Sequence, residues 1–330
     1  MNGKQQDSRK LGLDHVIDEE LGPLKLLPGK WRNLFPMKGN SPLPGRGWNM
    51  IALPFPEGEF GYRLLLNQYN EEFDFKLVDK GVANRGQEKD KDGKGIDQFV
   101  AALDYEQTIT QIAAGEFVKG KAFPESGKTG SPGLAIHHEP GLFLYMPKET
   151  TNGLNIARTA SIPHGDSVMA FGKSSILTGP GPDIKSINGL PIPKNGNGLP
   201  VGIDEDYVAP YKHFHENLFE GLFDPIHPND LLKDGIPHEV EISEIIKLDF
   251  NTTASAQLNE KTVQGGIINI PFVVKNADAT KMHSIFWIAK GKDKKTGADR
   301  LFLQYSQTVM LDFLGDIWPH VSINTLEKVL

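Results

Sequence analysis

The chain contains no cysteine. That absence excludes disulfides, thiolate zinc sites, iron–sulfur clusters, thiolate-ligated or covalently attached c-type haem, and cysteine nucleophiles. Any metal must be held by the 10 histidines, by carboxylates or inside an exogenous cofactor. A basic excess is also missing, since 42 acidic side chains outnumber 35 basic ones for a net charge of −7. Duplex or membrane binding by phosphate neutralisation requires the opposite balance, so neither nucleic acid nor a membrane is expected as a partner. No run approaches the roughly 18 apolar residues that a spanning helix needs. The opening segment, MNGKQQDSRKLGLDHVIDEE, lacks the apolar centre of a secretory signal, which gives the expectation of a cytoplasmic protein.

What the chain has in quantity is punctuation. Its 35 Gly and 23 Pro in 330 residues interrupt helix interiors and rule out a helical bundle. Strand-like segments recur between turn clusters: Trp48–Leu53, Tyr62–Gln68, Phe73–Val78, Gln98–Leu103, Gln107–Ala113, Leu142–Met146, Asn155–Ile162 and Ser167–Phe171. A second set follows at Val240–Leu248, Gly266–Val274, Ser284–Ala289, Leu301–Leu311 and Val321–Leu326. Several alternate apolar with polar residues, as in Phe302-Leu-Gln-Tyr-Ser306, which suits a sheet with two unlike faces. The expected class is all-β, an antiparallel barrel or sandwich. Residues from about 173 to 238 break the pattern: a Gly/Pro-rich stretch is followed by Glu205–Lys233, where Tyr211, Phe214, Leu218, Leu222 and Phe223 stand at roughly helical spacing. The strand pattern resumes afterwards without a second set of motifs, so the expectation is one domain over 1–330 with an insertion at about 173–238. A polar stretch at 85–97 reads as a spacer.

Most chemistry-bearing motifs have plainer explanations. Ala122–Thr129 matches a relaxed phosphate-loop pattern, but the strand before it and the helix after it that such a loop requires are missing. His213 and His215 sit on a stretch read as helix, where positions i and i+2 diverge and do not share an ion. The carboxylate pairs Glu71/Glu72 and Glu19/Glu20 read as solvated surface.

Five short motifs gain meaning only in combination. They are Gly29-Lys-Trp31, Gly45-Arg-Gly47, Tyr105-Glu-Gln107, His137-His-Glu139-Pro-Gly141 and Pro319-His320 leading to Leu326. Their order and local context resemble the nitrobindin family of haem-binding β-barrels, related to fatty-acid-binding proteins and lipocalins. The matches span both chain ends but cover about a third of the length. The resemblance implies a calycin-like antiparallel β-barrel with an inserted helical and irregular segment. It also implies haem b as cofactor, His320 as the iron ligand, and peroxynitrite isomerisation or related redox chemistry at iron. A neutral imidazole suits iron. Trp318 and Phe313 are candidate apolar walls, and His137, His138, His164 and Tyr105 are candidate pocket residues; strand phase decides whether His137 or His138 faces inward. The alternative expectation is a non-enzymatic carrier of a fatty acid or other apolar molecule. A third is an enzyme using His137, His164 and Tyr105 in acid–base chemistry.

Overall fold

Alternating side chains on extended backbone need two environments, and closing the sheet on itself supplies an inside and an outside. A computed structural model describes residues 19–33, 47–89, 92–117, 132–147, 153–258 and 260–329. The phosphate-loop-like segment 122–129, and Gly45 and Arg46, lie outside the described residues. After a 3-10 turn at Glu19–Leu24, the chain forms β1 (Gly29–Asn33), β2 (Gly47–Pro54), β3 (Tyr62–Lys89), β4 (Gly95–Glu116), β5 (Ala135–Tyr145), β6 (Ile156–Ile162) and β7 (Asp166–Leu177). The insertion follows, with a two-residue strand β8 (Ile192–Pro193) and helices α1 (Ala209–Glu216) and α2 (Asp230–Lys233). The sheet then resumes with β9 (Val240–Asn251), a small β10–β11 hairpin (Ser255–Leu258, Lys261–Gln264), β12 (Gly266–Asn269) and helix α3 (Pro271–Asn276). Three long strands complete it: β13 (Asp278–Asp293), β14 (Asp299–Phe313) and β15 (Asp316–Lys328).

The sheet is antiparallel and closed. Its order runs β15-β14-β13-β9-β7-β6-β5-β4-β3, and the gap between β3 and β15 is bridged by both β1 and β2. β1 pairs with β3 and β15 at one end (Trp31 with Phe73 and Lys328), and β2 pairs with the same two strands at the other (Trp48 with Gln68 and Ile323). Counting β1 and β2 as one interrupted stave gives a ten-stave barrel among the described residues. This architecture is consistent with a calycin-like fold, and it brings the first and last segments of the chain together.

Two apolar cores share the barrel wall. Inside its closed end, Phe73, Phe75, Tyr105, Phe143, Phe250, Phe286 and Tyr305 pack with Trp31 and with Leu21, Leu24 and Leu27 from the entry turn. Trp31 is fully buried and donates its indole N–H to Leu27 O at 2.8 Å, so the Gly-Lys-Trp motif is the plug of that end. On the outer face, Trp48, Met50, Val321, Ile323 and Trp287 meet Tyr211, Phe214, Phe219, Phe223 and Leu232 of the insertion. Trp48 stacks on Phe223 with ring centroids 5.7 Å apart.

The structure departs from the sequence expectations at four places. β3 and β4 are single strands of 28 and 22 residues rather than two pieces each, and their hairpin absorbs much of the polar stretch at 85–97. The irregular segment begins after Leu177, because β7 continues to that residue. The helical stretch at 205–233 is two short helices with turns between them. The expected strand Gly266–Val274 stops at Asn269 and becomes α3, with Pro271 opening the helix. Proline is preorganised for the first helical turn, where its missing N–H costs nothing.

Candidate functional site

Above the aromatic closed end, the barrel encloses a cavity of about 640 Å³. Its walls are largely apolar, from Ile51, Leu53, Ile109, Val168, Val309 and Leu311, with Phe272 and Val273 of α3 also contributing. The volume lies within the roughly 300–1,000 Å³ typical of sites for cofactor-sized molecules. Three histidines line it: His137 on β5, His164 in the β6–β7 turn and His320 on β15. The His137 and His164 rings lie 6.0 Å apart.

His320 faces inward because Val321 and Ile323 are committed to the outer core and neighbours on a strand alternate faces. Its Nε2 lies 2.7 Å from Asn49 Oδ1. The Asn49 amide is oriented by its own Nδ2, which donates to Asn67 Oδ1 at 3.0 Å, while Ser322 Oγ also donates to Asn49 Oδ1. Asn49 Oδ1 is therefore an acceptor, His320 carries its proton on Nε2, and Nδ1 keeps the lone pair. Burial, reinforced by repulsion from His137 and His164, lowers the His320 pKa to about 3. The ring's remaining exposure is toward the cavity. In an NMR titration of the folded protein, its imidazole resonances are expected to show no inflection between neutral pH and about pH 4. An inflection near the ordinary histidine value of about 6.5 would place the ring in water.

Beneath the cavity lies a buried charged cluster. Glu139 Oε1 accepts from Arg158 Nη2 at 2.5 Å and from the Tyr105 hydroxyl, and Glu139 Oε2 meets His137 Nε2 at 3.3 Å. Arg158 also donates to Tyr105 (3.1 Å), Ser284 (3.1 Å) and Gln307 (2.7 Å). Its guanidinium rests 5.2 Å from the centre of the Phe286 ring. Burial opposes ionisation of Glu139, but the Arg158 charge and the His137 and Tyr105 hydrogen bonds outweigh it, holding the carboxyl at about 2. A second buried carboxylate, Glu71, accepts from Gln107 Nε2 (2.5 Å), Asn324 Nδ2 (2.6 Å) and Tyr305 (2.8 Å). Desolvation raises its pKa, and the three donors act against that rise.

Of the residues singled out in the sequence, the structure gathers His137, His164 and His320 around one cavity. His138 points outward to Glu106 at 3.0 Å. Tyr105 is fully buried in the closed end beneath the cavity, its hydroxyl turned to Glu139. Trp318 and Phe313 are not cavity walls: their rings stack 5.1 Å apart at the β14–β15 turn, and Trp318 packs on Tyr62 and Tyr207. Glu71 is buried at 4 % exposure, not solvated; only its neighbour Glu72 faces the surface, paired with Lys30 and Arg32. Sequence reasoning also missed Arg158, Asn49 and the role of Gln107. A signal was present for Glu71 and Arg158. Glu71 shares strand phase with Tyr69, Phe73 and Phe75, and Arg158 shares it with Ile156 and Ala160. A lone charge in an apolar phase marks a buried, paired group.

The glycine of the His-x-Glu-x-Gly motif has a packing reason. A Cβ on Gly141 would stand 2.0 Å from Thr159 O and 2.7 Å from the Tyr105 ring. Gly141→Ala is expected to cost about 1–3 kcal/mol, the usual range for overpacking, as measured by urea denaturation. A neutral result would show that β5 and β6 separate freely.

No protein-family model matches the chain, and a search of curated proteins found no match. Among solved structures, the crystal structure of Rv2717c from M. tuberculosis aligns over 96% of this chain and 100% of that one, at 14% identity and a TM-score of 0.40.

Proposed function

We propose that the protein is a ligand-binding barrel that holds haem b in its cavity, with His320 as the iron ligand. The observation that carries this reading is the state of the His320 ring: neutral, lining a largely apolar cavity, and held by a hydrogen bond from Nε2 to Asn49 that leaves the lone pair on Nδ1. A metal-ligating histidine usually has such an acceptor on its second ring nitrogen. The donor set also suits a macrocycle. Among the described residues no three His, Asp or Glu side chains are grouped to hold a bare ion, whereas a porphyrin brings its own equatorial nitrogens and asks one axial ligand of the protein.

Bound there, haem would supply a redox-active iron with a position for a small oxidant or reactive nitrogen species; isomerisation of peroxynitrite to nitrate is what the family resemblance implies. The chain's own residues hold and shield the site. Asn49 fixes the tautomer of His320, Ile51, Leu53, Val309 and Leu311 exclude water, and His137 and His164 place polar groups in the same cavity. Hemin titrated into the protein is expected to give a red-shifted Soret band that saturates at one equivalent. A spectrum indistinguishable from free hemin would end this reading.

The apolar walls also favour a second reading, a carrier of an apolar small molecule. Solvent extraction of purified protein and mass spectrometry separate the two: porphyrin supports the first reading, an apolar compound without porphyrin the second.

A further inference from the structure

The strand that carries His320 closes the barrel through a short seam. β2 pairs with β15 at three positions, Trp48 with Ile323, Asn49 with Ser322 and Met50 with Val321. The Asn49–His320 hydrogen bond spans this seam on its cavity side. His320 is the first residue of β15 past the pairing, and on that edge the ladder resumes only at Ile317 and Asp316, which pair with β8 of the insertion. Pro319, in between, has no N–H to offer a partner. The ring and the acceptor that orients it thus stand where the backbone ladder of the wall is interrupted.

The outer side of the same seam is held by the insertion. Trp48 alternates with Asn49 and faces out, where the Phe223 ring stacks on it at 5.7 Å and 2° from parallel, and Phe219 meets its edge at 6.0 Å. One tight knuckle presents both phenylalanines. Phe219 N–H donates to Phe223 O at 3.0 Å, and Phe223 N–H to Phe219 O at 2.9 Å. Glu220 and Gly221 turn the chain with φ of 51° and 72°, and a residue with a Cβ keeps such a conformation only where its surroundings hold it. Beside the knuckle, a Cβ on Gly189 would stand 2.9 Å from the Met50 methyl. Where β2 and β15 part, Trp318 packs on Tyr62 at 4.3 Å, and the Tyr62 hydroxyl donates to Tyr207 O of the insertion at 2.7 Å.

We propose that the insertion is a clasp on the closing seam, and that Phe219 and Phe223 are positioning residues for the cavity imidazole. The link is the strand itself. Side chains alternate across β2, so Trp48 cannot turn or slip without carrying Asn49 the opposite way. Three residue pairs supply few hydrogen bonds to resist that movement, and the aromatic stack on the outside supplies the rest. The direction of the His320 ring is therefore set from the far side of the barrel wall, by residues that do not line the cavity. The positioning stands whatever fills the cavity; its consequence for iron rests on the haem reading.

Nitrogen-15 NMR of the full chain labelled at histidine tests this, with the His320 Nε2–H signal identified by its loss in His320→Ala. In the unaltered protein that proton should exchange slowly with water. In Phe223→Ala its exchange is expected to accelerate about tenfold, the equivalent of one hydrogen bond's net contribution. Phe219→Ala keeps the Trp48–Phe223 stack and should accelerate it less, which serves should Phe223→Ala fail to fold. Phe302→Ala opens an equal void in the same outer core, seven positions along β14 from Val309, the partner of His320, and should leave the signal unchanged. Exchange unaltered in a folded knuckle variant, or accelerated equally by Phe302→Ala, would overturn the proposal. Hemin titration of the same variants reports separately: Phe223→Ala should bind about tenfold more weakly, within the range for a disturbed orienting partner. Failure of the unaltered protein to bind hemin would end the haem reading and leave the exchange result standing.

Discussion

His320→Ala protein is expected to give no Soret shift with hemin, while its far-ultraviolet circular dichroism and urea midpoint remain those of a folded barrel. The ring faces a cavity rather than a packed core, so removing it enlarges a void already present and leaves Asn49 its hydrogen bonds to Asn67 and Ser322. Binding should be lost without collapse, and free imidazole at high concentration should restore part of the spectrum by filling the vacated space. Asn49→Leu gives the graded counterpart. His320 stays but the acceptor that orients it is gone, which for a metal-ligating histidine typically costs about 10–100-fold in metal affinity. A full Soret shift in His320→Ala would remove this residue as the iron ligand.

Arg158→Met is expected to destabilise the fold by about 3–5 kcal/mol, the usual cost of removing one partner of a buried ion pair, measured by urea denaturation near neutral pH. The variant strands the Glu139 carboxylate in an aromatic interior and frees the hydroxyls of Tyr105 and Ser284 from their donor. The acid limb should change as well. In the native protein the Glu139 carboxyl titrates at about 2, below its ordinary 4.5. A depressed folded pKa contributes stability that is present above about 4.5 and lost as the pH falls toward 2. Without Arg158, burial dominates and raises the carboxyl, so acid should no longer weaken the variant through this group and should partly relieve it. The double variant Arg158→Met with Glu139→Gln, which removes the stranded charge, should recover part of the loss. A cost under about 1 kcal/mol for Arg158→Met would show that water reaches this cluster and that the pair behaves as a surface bridge.

Period-two alternation made much of the barrel legible. Leu303 and Tyr305 against Gln304 and Ser306 read as a two-faced strand, and the structure puts the first pair in the closed-end core and bonds the second pair to Leu232 and Asn229 of the insertion. Alternation is less informative where the insertion covers the outer wall, because both faces are then buried. The β14–β15 turn shows a further limit: Phe313 and Trp318 share strand phase with Leu311 and His320, yet at the strand ends they stack on each other, and Trp318 packs on Tyr62 and Tyr207 rather than on the cavity. Glu71 was misjudged for a related reason. Its sequence neighbours are polar, but those that determine its state, Gln107, Tyr305 and Asn324, are 36, 234 and 253 residues away.

By itself the sequence determined the strand character of this chain and the location of its insertion, because these depend on local backbone preference and on side chains a few positions apart. Only the tertiary structure decided that three histidines share one cavity and that Arg158 neutralises Glu139. Those facts depend on which residues meet across a closed sheet, and register between strands far apart in the chain is set by the packing of the whole barrel, a long-range property that no local pattern encodes.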